Sequence, residues 1–348
     1  MKVLISSDGM HAHYFQRVAW LNAFRQTGVQ AELWDCKNVS AFDAFDSFEP
    51  DIFLGQAYNL DEALIKCIYE RPHMKVGLRA GDWGDHEDSI DKSKFNMLFA
   101  TEKEKRLLKK LKDETGKPDF VHIHYLQKDV DVTHAHYRSI GIEPKSLIMC
   151  ADTLTYGDSR FDPKFECDIA FVGGYWPHKG IVINRYLFPM LGDIGKHKIK
   201  IFGNQPWPVN QYCGMIKDED VKNLFRSAKV CPNLSEPHAH VFGMDINERI
   251  FKILYSGGFC VSDYCEAYNI FEDGVVLAKS GEEFRDKIEY YLEHPEEREA
   301  ISKKGRKIVC ERHTNFHRIA SIFEYFGMTD ISTKLLTSLE QLNKSKAQ

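Results

Sequence analysis

Several polar stretches that follow short apolar runs have the residue types that a phosphate-bearing ligand needs. Residues 167–174 run apolar into the pair Gly173-Gly174, and Tyr-Trp-Pro-His-Lys179 comes next. Glycine lets backbone approach a ligand closely, and Lys179 could meet a phosphate. Ile201-Phe-Gly203-Asn204 repeats the pattern, and Asn233-Leu-Ser-Glu-Pro-His-Ala-His240 follows a third apolar run. Asp245-Ile-Asn247-Glu248 reads as a capping box, with a carboxylate at the N-cap and a glutamate three residues on. Ile250, Phe251, Ile253 and Leu254 continue it at helical spacing. The free N–H groups and dipole of a helix opening there favour an anion. The competing reading is an ordinary strand–helix unit.

The first half offers candidate bases. His11 and His13 lie in or just after the loop that follows the first apolar run, and histidine suits proton abstraction from a hydroxyl near neutral pH. His13 is the first choice; against it stands a role in capping or packing the next helix. Arg79-Ala-Gly-Asp82-Trp-Gly-Asp85-His86 is a second polar loop. Asp82 and Asp85 serve there as base, ligand contact or simple turn residues. Histidine pairs spaced by one residue occur at 11/13, 122/124, 134/136 and 238/240. Zinc would need a third converging ligand, so no metal is predicted. Neither a GxGxxG nor a GxxxxGK[ST] signature is present, which disfavours a dinucleotide fingerprint and a P-loop NTPase. The charged run 102–112 is either a basic surface for an anionic acceptor or, with acidic residues flanking it, a solvated helix face.

Alternating elements must position these residues. Apolar runs at 2–5, 29–34, 51–54, 75–78, 96–100, 120–123 and 146–150 read as strands. Helical spacing at 11–27, 60–69, 102–114 and 130–140 separates several of them. Turn residues at 151–166 break the pattern. It restarts with strands at 168–172, 198–202, 228–231, 258–262 and 275–277, and helices at 181–191, 218–227 and 246–256. Helices at 281–293, 295–312, 315–326 and 332–342 close the chain. The expectation is an α/β chain of two Rossmann-like domains with parallel sheets, and a cleft between them as the ligand site. The 348 residues suffice for two domains. The net charge of −5 gives no global basic footprint for nucleic acid. The opening MKVLISSDGM lacks the apolar core of a signal peptide and no run reaches membrane-spanning length, so a cytoplasmic protein (host cytoplasm if viral) with nine reduced cysteines is predicted.

From Cys167 to Phe316 the chain resembles the donor domain of GT-B glycosyltransferases, and more closely the CgeB-like, "glycosyl transferases group 1" proteins. The matching pieces are FVGGYWPHKG at 171–180, KIFGN at 200–204, GMIKDEDV at 214–221 and CPNLSEPH at 231–238. NERIFKILYSGGFCVSDY at 247–264, YYLEHPEER at 290–298 and ERHTNFHR at 311–318 complete the series. The resemblance implies a metal-independent GT-B enzyme with no tightly bound cofactor. Residues 1–160, with helices in 315–348 crossing back, would bind the acceptor, a glycan or other hydroxyl compound. Residues 161–314 would bind a nucleotide-diphosphate sugar, a UDP- or GDP-sugar. The Gly173-Gly174 loop, Gly203, Asn204, Asn233, His240, and the helix opening at Asp245 to Asn247 would face the donor. Arg249 matches the family's phosphate-pairing arginine, and His13 or Asp82 would be the base. The chain departs where relatives carry glutamates: Met244 and Lys252 stand there. Lys252 would pair with an acidic donor group or lie solvated on its helix. Alternatives are a phage or viral enzyme glycosylating DNA bases, and an inactive sugar-nucleotide-binding protein of the same fold.

Overall fold

The computed structural model describes residues 1–7, 12–81, 84, 102–192 and 195–347. Strands β1 (Lys2–Ser7), β2 (Gln30–Asp35), β3 (Ile52–Gln56), β4 (Lys75–Arg79), β5 (Phe120–Ile123) and β6 (Glu143–Ser146) come first. Helices α1 (Ala12–Gln26), α2 (Ala41–Phe48), α3 (Glu62–Tyr69), α4 (Glu102–Thr115), α5 (Gln127–Thr133) and α6 (His136–Ser139) lie among them. Next come α7 (Thr153–Tyr156), β7 (Cys167–Val172), α8 (Gly180–Tyr186), α9 (Phe188–Leu191), β8 (Ile199–Phe202), α10 (Asp218–Ser227) and β9 (Ala228–Asn233). They are followed by α11 (Pro237–Phe242), α12 (Glu248–Tyr255), β10 (Cys260–Asp263), β11 (Val276–Ala278), α13 (Gly281–Glu293) and α14 (Pro295–Arg312). Helices α15 (Asn315–Tyr325) and α16 (Thr329–Ala347) end the chain.

The chain forms two compact units, 1–148 with 315–348, and 149–314. In the first, a six-stranded sheet runs β2-β1-β3-β4-β5-β6, and every pairing is parallel. The strands are apolar because helices cover them: Val3, Ile5, Ile52, Leu54 and Phe120 share one core with Trp20 and Phe24 of α1. Helix α15 joins that core through Ile319, Ile322 and Phe323, spaced to share one helical face. The Asn315 amide donates to Ala19 O at 2.9 Å and Arg318 Nε to Ile148 O at 2.8 Å, which fix its entry. The tail helices thus return to the first unit.

The second unit's sheet runs β11-β10-β9-β7-β8, again all parallel. From β7 the chain goes to β8 on one side and then to β9 on the other. The order therefore reverses between β7 and β9, and in the first unit between β1 and β3. Open α/β sheets bind ligands beyond the carboxyl ends of strands at such reversals.

Some boundaries differ from the sequence expectation. The strand expected at 146–150 is β6, ending at Ser146. It is an edge strand containing Pro144, a residue that edges tolerate and apolar pattern-reading penalises. The helix expected at 181–191 is broken at Leu187, because Pro189 sits at the start of a new short helix. The helix expected at 130–140 divides at His134, and α2 was not expected at all. The predicted strand at 96–100 lies outside the described residues.

Candidate active site

Arg249 sits where the second sheet reverses. Its helix α12 is capped by Asn247, whose side chain accepts from Ile250 N, so the helix opens two residues later than the capping box at Asp245 predicts. The Asp245 carboxylate instead meets His238 Nε2 at 2.9 Å. Two capping residues stand two apart here, and the partner available to Asp245 decides between them. The first turn of α12 aims Arg249 at both strand ends. Nε donates to Val172 O of β7 at 2.6 Å, and Nη1 to Asn233 Oδ1 of β9 at 3.2 Å and to Leu234 O at 3.1 Å. The guanidinium stacks 4.6 Å from the Phe171 ring centre. Burial lowers its pKa from the ordinary value, opposed by the acids around it. Among the described residues Nη2 makes no hydrogen bond. It lies beside Gly173, where an added Cβ would come within 2.9 Å of it.

The glycines allow close backbone approach rather than a special turn. A Cβ on Gly203 would fall 2.3 Å from Gly173 O, and one on Gly174 would fall 2.6 Å from Asn204 Oδ1. The ends of β7 and β8 therefore pack backbone to backbone, and Trp207 Nε1 holds Gly173 O at 2.8 Å. Asn204 is exposed beside them. Lys179 forms an ion pair with Glu236, and His178 Nε2 lies 3.4 Å from the same carboxylate.

Beneath the ends of β9 and β10 runs a buried polar network. Asn233, fully buried, donates to Ser262 Oγ at 2.9 Å and to Tyr268 OH at 3.3 Å. Asn247 Nδ2 donates to Tyr268 OH and to Leu234 O, both at 3.1 Å. Tyr268 OH lies 2.8 Å from Ser235 Oγ, and Ser235 donates through both N and Oγ to the buried Asp263. His240 Nε2 stands 2.8 Å from Asp263 Oδ2. Sequence reasoning missed Asp263, Tyr268, Ser235 and Glu236. The available signal was an aspartate at the last position of a buried strand, a place where only a partnered carboxylate survives.

Lys252 is neither solvated nor open to a donor group. Its side chain is 12% exposed, 3.2 Å from Glu248 one turn earlier and 5.3 Å from the Tyr156 ring centre. Burial pushes the Glu248 carboxyl up to about 7, against the pull of Lys252. Tyr156 OH meets the exposed Asp218 Oδ1 at 3.1 Å, so one face of α12 holds Arg249 and another an acid–base cluster that runs from buried Glu248 out to the surface. Met244 lies in the loop before the helix.

In the first unit, His13 lies in the first turn of α1, after the end of β1, its ring 5.4 Å from that of His124, which follows β5. At the β1/β3 reversal the Gln56 amide reaches Ser6 Oγ at 3.4 Å. His122 is buried against Trp20, and burial, with Arg79 and Arg17 nearby, pushes its pKa well below the usual range. His11, Asp82, Asp85 and His86 lie outside the described residues. Helix α4 buries Leu107, Leu108 and Leu111 and ties Lys109 to Asp113 and Lys110 to Glu62. Among the described residues no group of three His, Cys, Asp or Glu side chains could hold a metal ion, and no helix is long and apolar enough to cross a membrane.

Two α/β units of parallel strands, with the last helices returned to the first, make the GT-B glycosyltransferase fold. Residues 184–324 match the family described as glycosyl transferase-like. Among solved structures, T4 phage β-glucosyltransferase, a DNA-modifying enzyme, matches in complex with UDP and Mn²⁺ at 14% identity and a TM-score of 0.56, covering 97% of this chain and 99% of that one. The Anabaena HepE protein in complex with UDP matches at 10% identity and a TM-score of 0.57, over 94% of this chain and 100% of that one. No curated protein sequence matches the chain significantly.

Proposed function

We propose that the protein is a glycosyltransferase that moves a sugar from a nucleoside-diphosphate donor to an acceptor hydroxyl. The observation that carries this reading is Arg249. It is a half-buried cation tied to β7 and β9 where their order reverses, with one guanidinium nitrogen left beside a glycine that keeps side chains away. A planar fork in that place suits a phosphate. Gly173, Gly174, Gly203 and Asn204 would form the adjoining floor and rim of the donor site. In this reading Asn233 and Asn247 hold Arg249 and the helix end in place rather than touching the donor. Lys179 and Asp245 would reach the donor only by leaving Glu236 and His238. The neighbouring structures contain UDP, which favours a UDP-sugar over a GDP-sugar, and the CgeB-like grouping fits the same assignment. The first unit would bind the acceptor at its β1/β3 reversal, with His13 as base and Asp82 as the alternative. Stabilisation of the departing diphosphate by fixed charges would be the main catalytic effect.

The test is a thermal-shift panel of UDP, GDP, ADP and CDP, each with and without Mg²⁺ or Mn²⁺, on wild type, Arg249→Lys and Arg249→Ala. A ligand at 100 times its Kd stabilises by about 2.7 kcal/mol. One nucleotide class should raise the wild-type midpoint, Arg249→Lys should lose most of that shift and Arg249→Ala all of it. A flat response of the wild type to every nucleotide removes the reading. Nucleotide binding without sugar transfer or donor hydrolysis would move it to an inactive binding protein.

A further inference from the structure

The donor reading turns His240 towards the nucleotide sugar without saying which group it meets, and gives its partner Asp263 no task. The Asp263 carboxylate is fully buried at the end of β10. It accepts from Ser235 N at 2.9 Å, Ser235 Oγ at 2.9 Å and Ser262 Oγ at 3.2 Å. A carboxylate placed there costs several kcal/mol unless its neighbours compensate for the lost water. The imidazole beside it, with Nε2 2.8 Å from Oδ2, is the only side chain among the described residues that pairs with it as an ion partner. Tyr186 backs the ring in a near-parallel stack, 5.8 Å between centres and 11° between planes. The His240 side chain nevertheless keeps 25% of its surface, and Nδ1 makes no hydrogen bond among the described residues. A ring held on one edge by a buried acid and on one face by a tyrosine, with its other nitrogen unused, is oriented for a ligand.

The same hydrogen bonds tie this ring to Arg249. Asp263 is bonded to Ser235, Ser235 to Tyr268, Tyr268 to Asn233 and Asn247, and Asn233 to Arg249. Strand β9 lies between β7, which anchors Arg249, and β10, which carries Asp263. At ~4.8 Å per strand the two anchors stand roughly 10 Å apart, a span that two linked phosphates cover with a hydrogen bond at each end.

We propose that His240 receives the outer phosphate of the nucleoside diphosphate and that Asp263 is its positioning residue. The proposal rests on the donor-site reading above. In transfer, the acceptor oxygen bonds to the anomeric carbon as the bond from that carbon to the diphosphate oxygen breaks. The electron pair stays on the outer phosphate, and the acceptor's proton goes to the base of the first unit. His240 then donates through Nδ1 to the phosphate on which charge has gathered. The contact of Nε2 with Asp263 holds the ring so that Nδ1 is the nitrogen left to make that bond.

The experiment compares UDP, GDP, ADP and CDP with their monophosphates by titration calorimetry on wild type, His240→Gln and Asp263→Asn. Wild type should bind one diphosphate at least tenfold more tightly than its monophosphate. His240→Gln should lose about tenfold or more for the diphosphate and leave the monophosphate unchanged, and Asp263→Asn should follow in the same direction. A merely structural role would weaken both ligands together, and that result, or unchanged diphosphate binding in His240→Gln, overturns the proposal. If wild type binds no diphosphate, the donor-site reading itself fails. If Asp263→Asn does not fold, the His240→Gln comparison decides alone.

Discussion

Replacing Glu248 with glutamine should change how stability depends on pH, and the size of the effect follows from the structure. Burial raises this carboxyl from its ordinary 4.5 to about 7, Asp218 adds to the rise, and Lys252 and Arg249 oppose it. The unfolded chain keeps the ordinary value. Between the two values the folded state holds a proton that the unfolded chain has shed, so stability falls as pH rises through the window. The contribution is fully present below 4.5 and lost by about 7.5. At about 1.4 kcal/mol per pH unit, the gap amounts to on the order of 3 kcal/mol. Glutamine keeps the shape and an acceptor for Lys252 but does not titrate. Urea unfolding at pH 4.5, 5.5, 6.5 and 7.5 should therefore show wild type losing about 3 kcal/mol more than Glu248→Gln across the series. Other titrating groups are common to both proteins and cancel in the difference. Parallel curves would refute the reasoning, because they would mean that Lys252 fully offsets the cost of burying the charge.

Two further outcomes test the packing around the candidate sites. Gly203→Ala drives a Cβ against the Gly173 carbonyl at 2.3 Å, and backbone cannot yield as a side-chain tip does; a loss of about 2 kcal/mol or more in urea unfolding is expected, within the range for overpacking. His122 should titrate below the ordinary histidine range, since burial, Arg79 and Arg17 all oppose its charging; a ring-proton shift that titrates at or above the ordinary histidine value would contradict this.

Period and polarity reveal the frame of this fold because they are local. The fully apolar stretches at Val3 to Ile5, Ile52 to Leu54 and Ile169 to Phe171 read as buried parallel strands, and they are. Gly173-Gly174 and Asn233 could be picked out because each follows an apolar run, and Arg249 because it matches an arginine of the family that the chain resembles. What holds them could not. Ser235 meets Asp263 and Tyr268 across 28 and 33 residues of sequence, and nothing in their immediate neighbours signals that meeting. Lys252 shows the same limit from the other side: a lysine on a helix is solvated by default, and only its packing against Glu248 and Tyr156 removes it from water. The start of α12 lay between Asp245 and Asn247 because either residue can cap, and His238 settles it by engaging the aspartate.

The return of α15 to the first unit has a consequence for the order in which the protein matures. The first sheet is written by residue 146, yet Ile319, Ile322 and Phe323, which close its core, come some 180 residues later. The second unit, ending at Thr314, is complete before them. At the usual pace of a ribosome, ~5–20 residues per second, the half made first stays unfinished for roughly 10–40 s while the half made second finishes. During that interval the apolar surface around Val3, Phe24 and Phe120 has no permanent cover. The apolar surface made first is therefore the last to be covered, and truncation near residue 314 should leave the first unit without part of its core while removing nothing from the second.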